Sequence, residues 1–168
     1  LGLFYGMMTQ YLGFQMTNDE YKVMGLASYG TPKYQNELDQ ILEPVDLGYR
    51  LNDKLDKRIL DSHIYTTDFS TRQECIFTDE LIKILGDRRL PGTEITQRHT
   101  DIAASLQFQL EKIAKKLAND AIRETGFPNL CLAGGVALNC KCNMEILNES
   151  IVNDLYVPPV PHDAGVAL

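Results

Sequence analysis

The chain has no apolar run approaching the roughly 20 residues a bilayer-crossing helix needs, and no basic stretch precedes a cleavable apolar segment at its N-terminus. A cytoplasmic setting with no membrane partner is therefore the expectation. It also lacks any Lys/Arg-rich run interleaved with aromatics, and its formal net charge is −7, so a nucleic-acid partner is not expected. Only four cysteines occur: Cys140 and Cys142 form C-x-C rather than C-x-x-C, and Cys131 sits in an apolar run, which favours reduced structural thiols over zinc or disulfides. His63 and His99 lack the Ser, Cys or carboxylate neighbours of a triad, and there is no internal repeat or low-complexity tract.

What is present is an ordinary globular composition, 44% hydrophobic and 23% charged over 168 residues, enough for one substantial core. The apolar pattern predicts a helix over residues 1–14 closed by Gly13. A second helix follows, capped by Thr17 or Asn18 and stopped by Gly30 and Pro32, and then a third from about Pro32 to Leu42. Residues 45–98 read as a peripheral insertion or hairpin, with a short helix over 78–85 and a loop over 87–96. Ile102, Leu106, Leu110, Ile113, Leu117 and Ala121 recur at helical spacing and predict one long amphipathic helix over 96–125, ended by Gly126 and Pro128.

Beyond that helix, Leu130–Ala133 and Leu155–Val157 are expected to be buried strands, with a helix over 138–147 between them and another opening near Ala164. Such alternation favours an α/β fold, helices packed on a mostly parallel sheet, with ligands at the carboxyl ends of the strands. Two segments fall at those ends. In LAGGVALNCKCN, Gly134 and Gly135 either make a tight turn or bring bare backbone N–H groups to an anion, and Asn139 either caps the next helix or projects toward that ligand. In PPVPHDAGVAL, Asp163 either caps the last helix or offers a hard oxygen to a divalent cation, with His162 adjacent. Glu20 and Lys22 lie two apart on different helical faces, as solvated charge or as site residues.

Four motifs in order, EYKVMGLASYG, HTDIAASLQ, LCLAGGVALNCKCN and PHDAGVAL, resemble the O-carbamoyltransferase family, the group of nodulation protein U and of the carbamoyltransferases of antibiotic biosynthesis. The resemblance implies part of an actin-like, sugar-kinase-type ATPase domain. The intact enzyme would transfer a carbamoyl group from carbamoyl phosphate, through an ATP-dependent carbamoyl-adenylate, to a hydroxyl of a small molecule such as a sugar or antibiotic. It would place Gly134, Gly135, Val136 and Asn139 on the nucleotide, Asp163 on a divalent metal (magnesium, manganese or iron), and Glu20 and Lys22 on the acceptor side. No residue is assigned the catalytic step itself. The family's His-x-x-x-His metal ligands would lie upstream of Leu1, and the carbamoyl phosphate-processing domain would lie beyond Leu168. Opening at Leu1 and stopping at Leu168 inside an apolar run, the sequence reads as a fragment of that domain, inactive alone. A kinase or ATPase moving the γ-phosphoryl group and a non-catalytic nucleotide-binding module are the alternatives.

Overall fold

The computed structural model describes residues 1–52 and 76–167. His63, Cys75 and residues 53–75 of the expected insertion lie outside them. In order, the elements are α1 (Gly2–Tyr11), α2 (Glu20–Leu26) running into a 3₁₀ turn (Ala27–Tyr29), α3 (Gln35–Asp39), the strands β1 (Leu42–Val45) and β2 (Gly48–Leu51), α4 (Asp79–Leu85) and α5 (Gln97–Thr125). Then come β3 (Asn129–Cys131), a 3₁₀ turn (Gly135–Leu138), α6 (Cys140–Leu147), β4 (Asp154–Tyr156) and a final 3₁₀ turn (Asp163–Ala167).

Helix α5 is the axis of the molecule, about 43 Å long at 1.5 Å per residue. At its start the Thr96 N–H donates to His99 Nδ1 at 3.0 Å, and at its end Gly126 takes φ +75°, the left-handed geometry that a Cβ disfavours. Its buried face begins as the sequence predicts, with Ile102, Leu106, Leu110 and Ile113, but continues through Ala114, Ala118 and Ile122. Leu117 is only half-buried and Ala121 is exposed. The stripe drifts because α5 meets α1–α3 in its first half and α6 with β3 in its second, so different faces are covered.

Other boundaries also differ from expectation. Helix α2 starts at Glu20, not after a Thr17 or Asn18 cap; Thr17 instead has φ +65° and donates its N–H to Glu20 Oε1 at 2.6 Å. The third helix is only Gln35–Asp39, because Leu42 and Pro44 join a hairpin in which Leu42 pairs with Leu51 and Pro44 with Tyr49. In a two-stranded sheet each strand is an edge, so a proline without an N–H is tolerated. From the segment 76–98, Ile76, Phe77, Leu81 and Leu85 are buried with α1 and α5 residues in one core.

Strands β3 and β4 pair in parallel, Leu130 opposite Leu155. They are not the buried strands expected. Leu130, Leu132 and Leu155 pack against the core, whereas Asn129, Cys131, Ala133, Asp154 and Tyr156 are exposed. Helices α5 and α6 cover one face of this sheet, and period-two alternation sends every second side chain to the other, uncovered among the described residues. No helix among the described residues is long and apolar enough to cross a membrane.

One buried cation has no acid paired with it among the described residues. Arg89 is 6% exposed, and its guanidinium donates to the carbonyls of Leu12 (2.7 Å), Thr93 (2.6 Å), Leu90 (3.4 Å) and Gly13 (3.5 Å), with the Phe14 ring 4.8 Å away. Leu12 and Gly13 follow the C-terminus of α1, where unpaired carbonyls gather partial negative charge. Burial still pulls the Arg89 pKa below its usual value.

Candidate functional site

The motif segments touch one another. Gly30, ending the SYG turn, lies so close to α5 that a Cβ there would sit 2.0 Å from the Thr100 carbonyl oxygen. Beside it, the buried Asp101 carboxylate accepts from the Thr31 N–H (2.9 Å), Gln97 Nε2 (2.9 Å) and Lys33 Nζ (2.7 Å). Lys33 foremost, then the Thr31 N–H and Gln97, hold its carboxyl well below the usual carboxylate range. The Tyr34 N–H donates to Ser105 Oγ at 2.9 Å, and Gln35 Nε2 to the Ser105 carbonyl at 3.2 Å. Thus EYKVMGLASYG and HTDIAASLQ, some 70 residues apart, meet in a backbone-tight junction.

The last residue of the second motif reaches the third. Gln107 bonds the Asn139 carboxamide in both directions at 3.0 Å, and Asn139 Oδ1 caps α6 by accepting the Cys142 N–H at 2.9 Å. The Tyr5 hydroxyl donates to Gln107 Oε1 at 3.0 Å; burial first, then Glu111, Glu20 and Cys142, raise the Tyr5 pKa so that it stays protonated. Burial pushes the Cys142 thiol up to about 12, so it behaves as an inert packing group. Cys131, Cys140 and Cys142 are all free thiols.

The glycine loop and the acidic turn meet at the carboxyl ends of the parallel strands. The Leu132 N–H donates to the Tyr156 carbonyl at 2.9 Å, and the Gly134 N–H to that of Pro161 at 2.6 Å. Gly134 has φ +101° and ψ 165°, a region essentially reserved for glycine. Gly135 is different: its φ is ordinary, it is exposed, and a Cβ there would find nothing within 4 Å. A 3₁₀ turn, not α-helix, follows at once; α6 begins only at Cys140, with Asn139 8% exposed beneath the loop. Val136, half-buried, lies where a Cβ on Gly2 would touch its side chain at 3.4 Å.

Asp163 is exposed and opens the last 3₁₀ turn; Gly165 packs so closely that a Cβ would lie 2.3 Å from the Val160 carbonyl oxygen. Among the described residues no three His, Cys, Asp or Glu side chains gather as a metal site, so Asp163 could supply one ligand and not a set. Lys22 pairs with Asp19 at 2.8 Å and lies over the Tyr21 ring at 5.7 Å, on the exposed side of α2. Half-buried Glu20 instead faces Gly6 of α1, whose Cβ would be 3.2 Å from Glu20 Oε1. The two thus point to different neighbours, as their spacing foretold.

Two openings flank this seam. A groove of about 330 Å³ runs under the glycine loop, lined by Ala118, Leu130, Leu132, Val136 and Ala137 among other mostly apolar residues. A wider cleft of about 630 Å³ between α5 and α6 carries internally paired charges, including Lys115 with Glu145 (3.2 Å) and Lys116 with Asp120. Tyr5, Asp101 and Gln107 escaped the sequence reading as site-supporting residues. For Asp101 and Gln107 the available signal was a polar residue beside the apolar stripe of α5.

The fold is an α/β unit whose glycine loop and acidic turn stand at the carboxyl ends of two parallel strands. The whole chain, residues 1–168, matches the family model described as carbamoyltransferase N-terminus, and the chain belongs to that family. It is 40% identical over its full length to the uncharacterized protein sll1178 of Synechocystis, covering 26% of that protein. It is also 40% identical to nodulation protein NolO of Bradyrhizobium diazoefficiens, again over its full length and over 27% of the relative. Nodulation protein U of the same organism is 37% identical over 43% of this chain and 13% of the relative. The chain spans about a quarter of the length of the first two curated relatives.

Proposed function

We propose that this chain is the nucleotide-holding part of an O-carbamoyltransferase with an actin-like domain, acting on carbamoyl phosphate, ATP and a small-molecule hydroxyl. The observation that carries the reading is Gly135. Among the described residues neither backbone geometry nor packing demands a glycine there, which supports a ligand approaching the bare backbone. The neighbouring Gly134 fixes the turn that presents it. Membership of the carbamoyltransferase N-terminus family supports the chemistry.

In this reading the amides of Gly135 and Val136 face phosphate oxygens, and the groove beneath accepts the less polar part of the nucleotide. When bound, ATP supplies the adenylate that activates the carbamoyl group; the chain's share is to hold and orient it. Asp163 is proposed as one ligand of a divalent metal (magnesium, manganese or iron) whose other ligands, with the carbamoyl phosphate-processing domain, come from outside residues 1–168. The described residues alone do not make a metal site, and no step is derived through one. Glu20 and Lys22 stand on the acceptor side, so Glu20→Gln raises the acceptor KM and leaves the ATP KM unchanged.

The test is calorimetric titration of ATP into the intact protein, followed by nucleotide product analysis. AMP with pyrophosphate supports the adenylate route, whereas ADP replaces it with γ-phosphoryl transfer. Wild-type affinity retained in Gly135→Val would remove the loop from the site.

A further inference from the structure

Gln107 and Asn139, 2% and 8% exposed, face each other as two carboxamides in the seam between α5 and α6. Gln107 Nε2 donates to Asn139 Oδ1, and Asn139 Nδ2 donates back to Gln107 Oε1, both at 3.0 Å. Their outer partners fix which way each amide points. Glu111 Oε1 accepts from Gln107 Nε2 at 2.7 Å, and an ionised carboxylate can only accept. The Cys142 N–H donates to Asn139 Oδ1 at 2.9 Å and can only donate. Tyr5 occupies the remaining place, donating its hydroxyl to Gln107 Oε1 at 3.0 Å.

From this geometry we infer that Gln107 is a positioning residue for the glycine loop, acting through Asn139, and that Asn139 steers the loop from inside and does not touch the ligand. The role assigned to the loop rests on the nucleotide reading above; the steering does not. Asn139 is the hinge between the 3₁₀ turn and α6: its N–H closes the turn on the Val136 carbonyl at 2.9 Å, and its carbonyl accepts from Asn143 at 3.0 Å. Its carboxamide is spent on Gln107 and Cys142, so any rotation of that amide is passed to Gly135–Leu138. The chain from Tyr5 through Gln107 therefore ties the loop's attitude to α1 and α5.

The experiment compares wild type, Gln107→Met, Asn139→Ser and the double variant in the intact protein, by amide hydrogen exchange and ATP titration. Serine still caps α6 but cannot complete the amide pair, so it carries the comparison where Gln107→Met fails to fold. Exchange at the Ala137 and Asn139 N–H groups is expected to quicken about tenfold in both single variants, the size of one lost hydrogen bond. The Thr31 and Tyr34 N–H groups, held by Asp101 and Ser105 near the other end of α5, stay unchanged. ATP affinity drops in both, and the double variant is no worse than either single. Unchanged loop exchange, or equal quickening at Thr31, would overturn the positioning role. So would weakened ATP binding in Asn139→Ser alone, which signals direct contact. A wild-type protein that fails to bind ATP defeats the nucleotide reading, while the exchange comparison still decides whether Gln107 positions the loop.

Discussion

Gly30 and Gly135 are the same residue type serving opposite ends. At Gly30 a Cβ would collide with the α5 backbone at 2.0 Å; at Gly135 it would meet open space. The first belongs to a junction where two motif segments are locked through Asp101 and Ser105, the second to a loop at the exposed ends of two strands. Motif residues thus divide into those that hold the molecule together and those that leave room beside it. The division follows from what surrounds each Cα, not from how recognisable the motif is.

Substitutions should separate the two regions in order of severity. Gly30→Ala is expected to destabilise most, by about 3 kcal/mol, because the obstruction is backbone and cannot rotate away; urea denaturation reads this directly. Asp101→Ala follows at about 2 kcal/mol, since the Thr31 N–H and Gln97 lose a buried acceptor, with Asp101→Asn milder. Gly134→Ala, forced into glycine-only geometry, costs about 1–2 kcal/mol.

A smaller effect is set by pH. Burial, then Arg98 and Arg89, lower the His99 pKa from its usual 6.5. The unfolded chain therefore binds the proton first: the contribution is fully present above about pH 6.5 and is lost as pH falls through the lowered folded value. Melting temperature should sag between pH 7 and 5, and His99→Gln should flatten that slope. Last comes Gly135→Ala, with a stability change within about 0.5 kcal/mol or slightly positive. Its readout is nucleotide affinity, so a large loss of stability would place Gly135 with Gly30 and end the contrast.

The sequence showed the long helix, its stop at Gly126 and both loops at strand ends, because helical periodicity and glycine are local signals. It misjudged what depends on distant partners. The short strands were expected to be buried because their residues are apolar, yet Cys131 and Tyr156 are exposed, since whether the second sheet face is covered is not written in the strand. The third helix was expected to run to Leu42, yet Leu42 opens a hairpin strand whose edge also accepts Pro44. In the site, Gly134, Gly135, Asn139 and Asp163 were legible as loop residues. The Gln107–Asn139 pair was not, because 32 residues separate two amides whose meeting depends on how α5 and α6 cross.

The clip around Arg89 has a consequence under acid. Asp101 secures its junction as a carboxylate, and acid strong enough to protonate that carboxylate removes its ion pair with Lys33. Among the described residues Arg89 binds carbonyl oxygens, which do not titrate, so the turn after α1 keeps its fastening where Asp101 no longer holds Lys33. Acid would therefore loosen the two fastenings unequally, weakening the hold of Asp101 on residues 31–33 while residues 11–14 and 89–93 stay joined.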